Sequence, residues 1–171
     1  MEDQLFINDH PFSPDKFDPP KNEAFYKPKG GLWTSTYSEG TSDWVRWCSG
    51  EHFKCGVYVG SVLKVAKEAR IYDIRSVADY TRLTEAYPFS PYGFGHIERK
   101  IEEVLHGPSL MFKFIDWELI SEKWDGVHLV NPGLRWDVMP LSAWDVESTV
   151  WLHPEVLTLI KTIKIAIEGE E

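Results

Sequence analysis

The sequence predicts an α+β domain built on a mixed, half-buried sheet, and three observations lead there. Stretches of β-branched and aromatic residues with period-two alternation recur along the chain, and capped segments with helical spacing fall unevenly between them. No repeat and no flexible or highly charged run separates two halves. At 171 residues the chain fits one domain spanning 1–171. With 43% hydrophobic and 26% charged residues it has the means for a packed core, which excludes collagen-like, mucin-like and disordered classes.

The elements follow in order. Residues 4–7 read as a short edge strand. Residues 10–31 carry Pro11, Pro14, Pro19, Pro20 and Pro28, which lack donors and fix φ, so they make an extended surface loop. Gly30 and Gly31 end it, and LWTSTY at 32–37 alternates as a strand. Thr41 or Ser42 caps a helix in which Asp43 suits the positive end and Trp44, Val45, Trp47 and Cys48 supply an apolar face. Residues 57–65 and 70–74 read as strands, and Ser76 caps a helix that runs to Ala86 and stops before Pro88.

Residues 87–96 form an aromatic, proline- and glycine-rich loop, 97–105 have helical spacing, and Asp116 caps a short helix through Lys123. Residues 127–130, 135–139 and 143–152 read as strands. Beyond Pro154, the residues Leu157, Leu159, Ile160, Ile163, Ile165 and Ile167 mix both periods and leave helix or strand open.

Function classes narrow by composition. With 18 basic against 27 acidic side chains the net charge is −9, which disfavours non-specific nucleic-acid binding. The apolar runs are too short for a membrane helix and MEDQLFINDH has no signal-peptide pattern, so a soluble, cytoplasmic protein with no membrane partner is expected. Cys48, His52 and Cys55 offer three zinc ligands without a nearby fourth, so no metal is expected. The G-x-S-x-G elbow, the P-loop and a strand-following G-x-G-x-x-G are missing, and Gly93-Phe94-Gly95 is too short a match. His10, His96, His106, His128 and His153 are scattered and read as surface or packing residues, His128 lying inside a predicted strand.

Two constellations carry chemistry. Adjacent glycines before LWTST let a ligand approach the backbone, and the strand presents hydroxyls on one face and rings on the other; a plain glycine turn into a core strand is the competing reading. In a strand through WDVEST, Asp145 and Glu147 stand on one face about 7 Å apart, two rises of about 3.3 Å. Such a pair can stabilise a developing sugar cation and position an acceptor; a solvated strand face is the alternative.

The glycine turn, the LWTST strand, the Trp-bearing helix and the late D-V-E together resemble the ADP-ribosyltransferase fold family, especially its small phage and bacterial members. WDGVHL at 124–129 is a further look-alike of a turn-and-strand in such folds. The resemblance covers the N-terminal third and the region of 144–152. It implies a mostly antiparallel split sheet with flanking helices, and NAD as the substrate. Thr34-Ser35-Thr36 then matches the element that supports the nicotinamide ribose, with Ser35 in the catalytic set, and Trp33, Tyr37 and Trp44 cover the nicotinamide. Glu147 matches the late-strand glutamate. Asp145 falls at the acceptor-selecting position, where the family has Glu or Gln. Gly31 lines the NAD approach. No Arg precedes Arg46, so the role of the family's early Arg or His falls to His10. The implied activity is transfer of ADP-ribose from NAD to a host macromolecule, protein or nucleic acid. The alternatives are an NAD glycohydrolase toxin and a catalytically degenerate member that binds or inhibits a partner.

Overall fold

The computed structural model describes residues 1–22, 27–51, 56–90 and 113–167. The expected helix at 97–105, the Gly93-Phe94-Gly95 stretch, His96 and His106, and the possible zinc ligands His52 and Cys55 lie outside the described residues. The chain is a mixed α+β structure. Its main sheet joins seven strands in the order β4 (Ile71–Ile74), β7 (Gly126–Leu129), β8 (Ser148–Trp151), β2 (Leu32–Thr36), β1 (Gln4–Asn8), β3 (Gly56–Val65) and β9 (Leu157–Ile167).

Strand β1 (Gln4–Asn8) pairs antiparallel with β2 (Leu32–Thr36) on one side and with β3 (Gly56–Val65) on the other, so it is an interior strand and not the expected edge. Burial drives this placement, since Leu5 and even Gln4 are withdrawn from solvent. Beyond β3 lies β9 (Leu157–Ile167), which settles the ambiguous C-terminal segment as an outer antiparallel strand. Pro154 opens only a short 3-10 turn before it. On the other wing β4 (Ile71–Ile74) runs parallel to β7 (Gly126–Leu129), which pairs antiparallel with β8 (Ser148–Trp151). A separate ribbon joins β5 (Pro88–Phe89) to β6 (Phe114–Ile115).

Three helices form where caps were expected. Ser42 accepts from the Val45 amide at the start of α1 (Asp43–Gly50), Ser76 from Asp79 at α2 (Val77–Ala86), and Asp116 from Leu119 at α3 (Trp117–Ser121). One expected strand is absent and another is shorter than expected. Residues 135–139 span the end of one 3-10 turn, Pro132–Trp136, and the start of the next, Met139–Leu141, because Pro132 and Pro140 favour turn entry and Asn131 accepts from the Gly133 amide. The long strand at 143–152 shrinks to Ser148–Trp151, since 142–147 remain in turn and bend.

Strand alternation gives the sheet two unlike faces. One is mainly apolar: Ile74, Val127, Leu129 and Val150 pack under α2, α3 and the 3-10 turns with Trp144, while Leu5, Val62 and Ile165 pack under α1. On the reverse face Leu32, Leu63, Trp151 and Leu157 are covered by Phe12 and Phe17 of the proline-rich loop. That cover stops short of the other end of this face. There a polar row of Asp73, His128, Glu147 and Thr36 lines an open cleft.

Two local features hold β7 and β8 in place. Asp125 accepts from the Arg70 backbone N, Nε and Nη2 at 2.7, 3.2 and 2.9 Å, tying the approach to β4 onto the approach to β7. Those bonds hold its carboxyl below the usual carboxylate range despite partial burial. Gly31 has φ +70°, and a Cβ built on it would stand 2.8 Å from Val150 Cγ2. Its missing side chain therefore serves the β2–β8 packing. Gly31→Ala is expected to cost about 2 kcal/mol or more through left-handed strain and overpacking, read as a lowered urea midpoint at unchanged m-value.

Candidate functional site

The cleft sits where the ladder between β2 and β8 ends. Those strands pair through Leu32↔Trp151, Trp33↔Val150 and Thr34↔Thr149. The next amide of β2 that points toward β8 belongs to Thr36, and it finds a side chain in place of a ladder carbonyl. Glu147 Oε2 accepts from Thr36 N at 2.9 Å, and Glu147 Oε1 accepts from Thr36 Oγ1 at 2.9 Å. A carboxylate just ahead of β8 thus caps the sheet at the point where its strands part.

The third contact to Glu147 comes from β7. His128 Nε2 lies 2.6 Å from Glu147 Oε1, and His128 Nδ1 lies 3.1 Å from Asp73 Oδ1 on β4. Each ring nitrogen thus faces a carboxylate oxygen, an arrangement that favours the doubly protonated ring, in which both nitrogens donate. Burial pushes the His128 pKa down, but the hydrogen bonds and charges of Glu147 and Asp73 together outweigh it, and the result lies above the ordinary 6.5. Arg75 closes the row with an ion pair to Asp73.

Behind Thr36 the polar chain continues into the core. Trp151 Nε1 donates to Thr34 Oγ1 at 2.8 Å, Thr34 Oγ1 to Gln4 Oε1 at 2.8 Å, and Gln4 Nε2 to Thr36 Oγ1 at 3.4 Å. Gln4 and Thr34 are fully buried, which makes each of these bonds costly to lose. Two series of donors, one from Trp151 and one from His128, converge on a single carboxylate oxygen.

The cleft in front of Glu147 encloses about 650 Å³, within the usual ~300–1,000 Å³ of small-molecule sites. Aliphatic surface from Ala69, Ile71 and Val130 forms part of its wall, and Arg46 and Arg75 contribute guanidinium groups. Arg46 is paired with Asp43, one helical turn back, at 2.7 Å.

The sequence-derived site residues divide sharply. Glu147, Thr36 and, one layer behind, Thr34 are brought together as expected. Ser35 is not: alternation turns it to the apolar face, where its Oγ accepts from Trp44 N at 3.3 Å and anchors α1. Trp33 shares that face, packed edge-on to Trp144 with centroids 4.7 Å apart and Lys27 Nζ 5.0 Å over its ring. Trp44 and Tyr37 pack onto the core beneath α1. The expected aromatic wall therefore lies across the sheet from Glu147.

Asp145 does not share a strand face with Glu147, because 143–147 are not extended strand. Its carboxylate is 3.9 Å from Arg135 Nη1 and raises the pKa of Lys27, which burial pulls down more strongly. His10 and Gly31 line a second, smaller cavity of about 220 Å³ with Phe6, Phe12 and Phe17. That cavity lies at the opposite end of β2 from Thr36, so His10 is not placed to act with Glu147. Gln4, Asp73 and His128 were missed. For Asp73 and His128 the signal was present, since each is a lone charged or titratable side chain in an otherwise apolar strand.

Among the described residues no group of three or more His, Cys, Asp or Glu side chains is arranged to hold a metal ion, and no helix is long and apolar enough to cross a membrane. The Cys48 thiol is buried, which pushes its pKa up. Comparison with protein-family models, curated proteins and solved structures found no match.

Thr36→Val keeps the strand shape and deletes a hydroxyl donor to a carboxylate, so a loss of about 1.5–3 kcal/mol is expected in urea unfolding. His128 supplies the pH dependence. Because its folded pKa is raised, its contribution is fully present below the unfolded value of 6.5 and is lost as pH rises through the folded value. The stability gap between the native chain and His128→Gln should therefore narrow on the alkaline side; a constant gap across that range would contradict the imidazolium.

Proposed function

We propose that the cleft binds NAD and breaks its nicotinamide–ribose bond, with Glu147 stabilising the ribosyl cation that develops, and passes ADP-ribose to an acceptor. The observation that carries this reading is the juxtaposition of Glu147 with Thr36 of the LWTST strand on the wall of a cleft that also holds Arg46 and Arg75. A sheet whose two wings meet at β2 supports extending the reading to an ADP-ribosyltransferase-like arrangement.

The chemistry runs on groups already described. The two guanidiniums offset the pyrophosphate charge, while Asp73 and Glu147 attract the cationic nicotinamide ring against the aliphatic wall. As the C–N glycosidic bond lengthens, its electron pair neutralises the ring nitrogen and positive charge appears on the ribose. A preorganised carboxylate close to that charge binds the transition state more tightly than the ground state. A nucleophilic acceptor then attacks the ribose carbon and gives up its proton. Water as acceptor makes the protein a glycohydrolase. A macromolecular acceptor in the host or bacterial cytoplasm makes it a transferase. The displacement of Asp145 and of the three rings from the cleft means that acceptor choice and nicotinamide cover fall to other residues of its rim.

The test is nicotinamide release from labelled NAD, followed by protease and nuclease digestion of any labelled lysate product. Glu147→Gln and Glu147→Asp are expected to lower release by about 100-fold or more. Since Glu147 satisfies two Thr36 donors, melting curves must accompany both variants. No release by the native chain, or full release by either folded variant, would remove this reading. Retained NAD binding without release would favour a binding protein.

A further inference from the structure

We infer that His128 is a positioning residue, fixed by Asp73, whose Nε2–H pins the Glu147 carboxylate against Thr36 and sets its orientation in the cleft. The inference rests on the proposed reaction at Glu147 for its catalytic consequence, and on geometry alone for the clamp itself.

Glu147 needs such a clamp because its backbone belongs to the bend before β8, so no ladder sets the direction of its side chain. Thr36 grips the carboxylate from one strand through N and Oγ1. Two bonds from one residue leave the group free to swing about that line, and the third donor, from β7 on the far side, stops the swing. The sheet register makes the third bond possible. Asp73 pairs with His128 across β4 and β7, and His128 pairs with Thr149 across β7 and β8, so these side chains rise from one face. Asp73 takes the Nδ1–H, which fixes the ring plane, and Arg75 holds Asp73 in turn.

The clamp is complete only while both ring nitrogens carry protons. Whichever proton leaves, a lone pair then faces a carboxylate oxygen, at 2.6 Å on the Glu147 side or 3.1 Å on the Asp73 side, so either the bond to Glu147 or the bond that fixes the ring turns repulsive. The groups facing His128 are Asp73 and Glu147 directly, Arg75 beyond Asp73, and Glu2, the Met1 amino terminus, Asp43 and Arg46 around the cleft. The two direct neighbours are anionic and favour the charged ring. Turnover should therefore hold on the acid side of the His128 titration and fall as pH rises through it. That alkaline limb would belong to a residue that never touches substrate.

Two readouts test this on the full chain. The first follows the Thr36 amide resonance and the His128 ring nitrogens by NMR across pH, with no ligand present. A shared midpoint is expected in the native chain, both midpoints should move to lower pH in Asp73→Asn, and the Thr36 step should vanish in His128→Gln. The second is the pH profile of nicotinamide release. His128→Gln, whose amide still donates, should keep KM within about two-fold and lose the alkaline limb, while His128→Phe should lower kcat by about 100-fold. A Thr36 amide that ignores the His128 titration overturns the clamp, whether or not NAD is cleaved. Absence of release by the native chain overturns the enzymatic reading and leaves the clamp to be decided by the resonances.

Discussion

Everything around the cleft depends on one carboxylate doing the work of a missing strand partner. At Thr36 the β2 amide has no β8 carbonyl to meet, and Glu147 fills that place with Oε2 while Oε1 collects a hydroxyl and an imidazole. The group is thereby built into the sheet's hydrogen-bonding scheme. Among the described residues it stands beside open space, because their part of the proline-rich loop covers the Leu32–Trp151 end of the same face. Stability and chemistry meet at this side chain: removing it would leave buried donors without acceptors.

The two faces of the sheet divide labour by residue parity. On β2 the even positions Leu32, Thr34 and Thr36 look one way, while Trp33 and Ser35 look the other. The rings are committed to the large core, where Trp144 stacks on Trp117 and meets the edge of Trp33. The high aromatic content thus serves packing under the helices more than it serves the cleft. The polar groups that reach the cleft form one connected row, from Asp73 through His128 and Glu147 to Thr36.

Much of the architecture was legible in local chemistry. Helix caps at Ser76 and Asp116, and one at Thr41 or Ser42 that proves to be Ser42, are legible because a short acceptor before an apolar run has few other uses. Segment 135–139 misled because its apolar residues suggested a strand, while flanking Pro132, Gly133 and Pro140 dictated turns; of the strand expected at 143–152, Ser148–Trp151 formed. Residues 4–7 were misplaced at an edge because short length says nothing about neighbours. Within the site, Glu147 and Thr36 could be paired by motif. Ser35 and the rings were misassigned by treating a strand motif as one surface, although alternation already separated them. His128 and Asp73 could be found only by asking why an imidazole and a carboxylate each stand alone inside an apolar strand.

The outermost strand carries a different lesson. β9 is 11 residues long and, among the described strands, pairs only with β3, so its other side offers a row of main-chain donors and acceptors to any extended peptide. Leu159 and Ile160 are exposed there, a combination that invites fibril-like stacking of copies. Lys161 and Lys164 interrupt the run. Two such edges brought side by side would set ammonium groups against one another. The segment thereby keeps a β-rich sequence for intramolecular use while resisting self-templating, and trimming those two charges would be the shortest route to an insoluble protein.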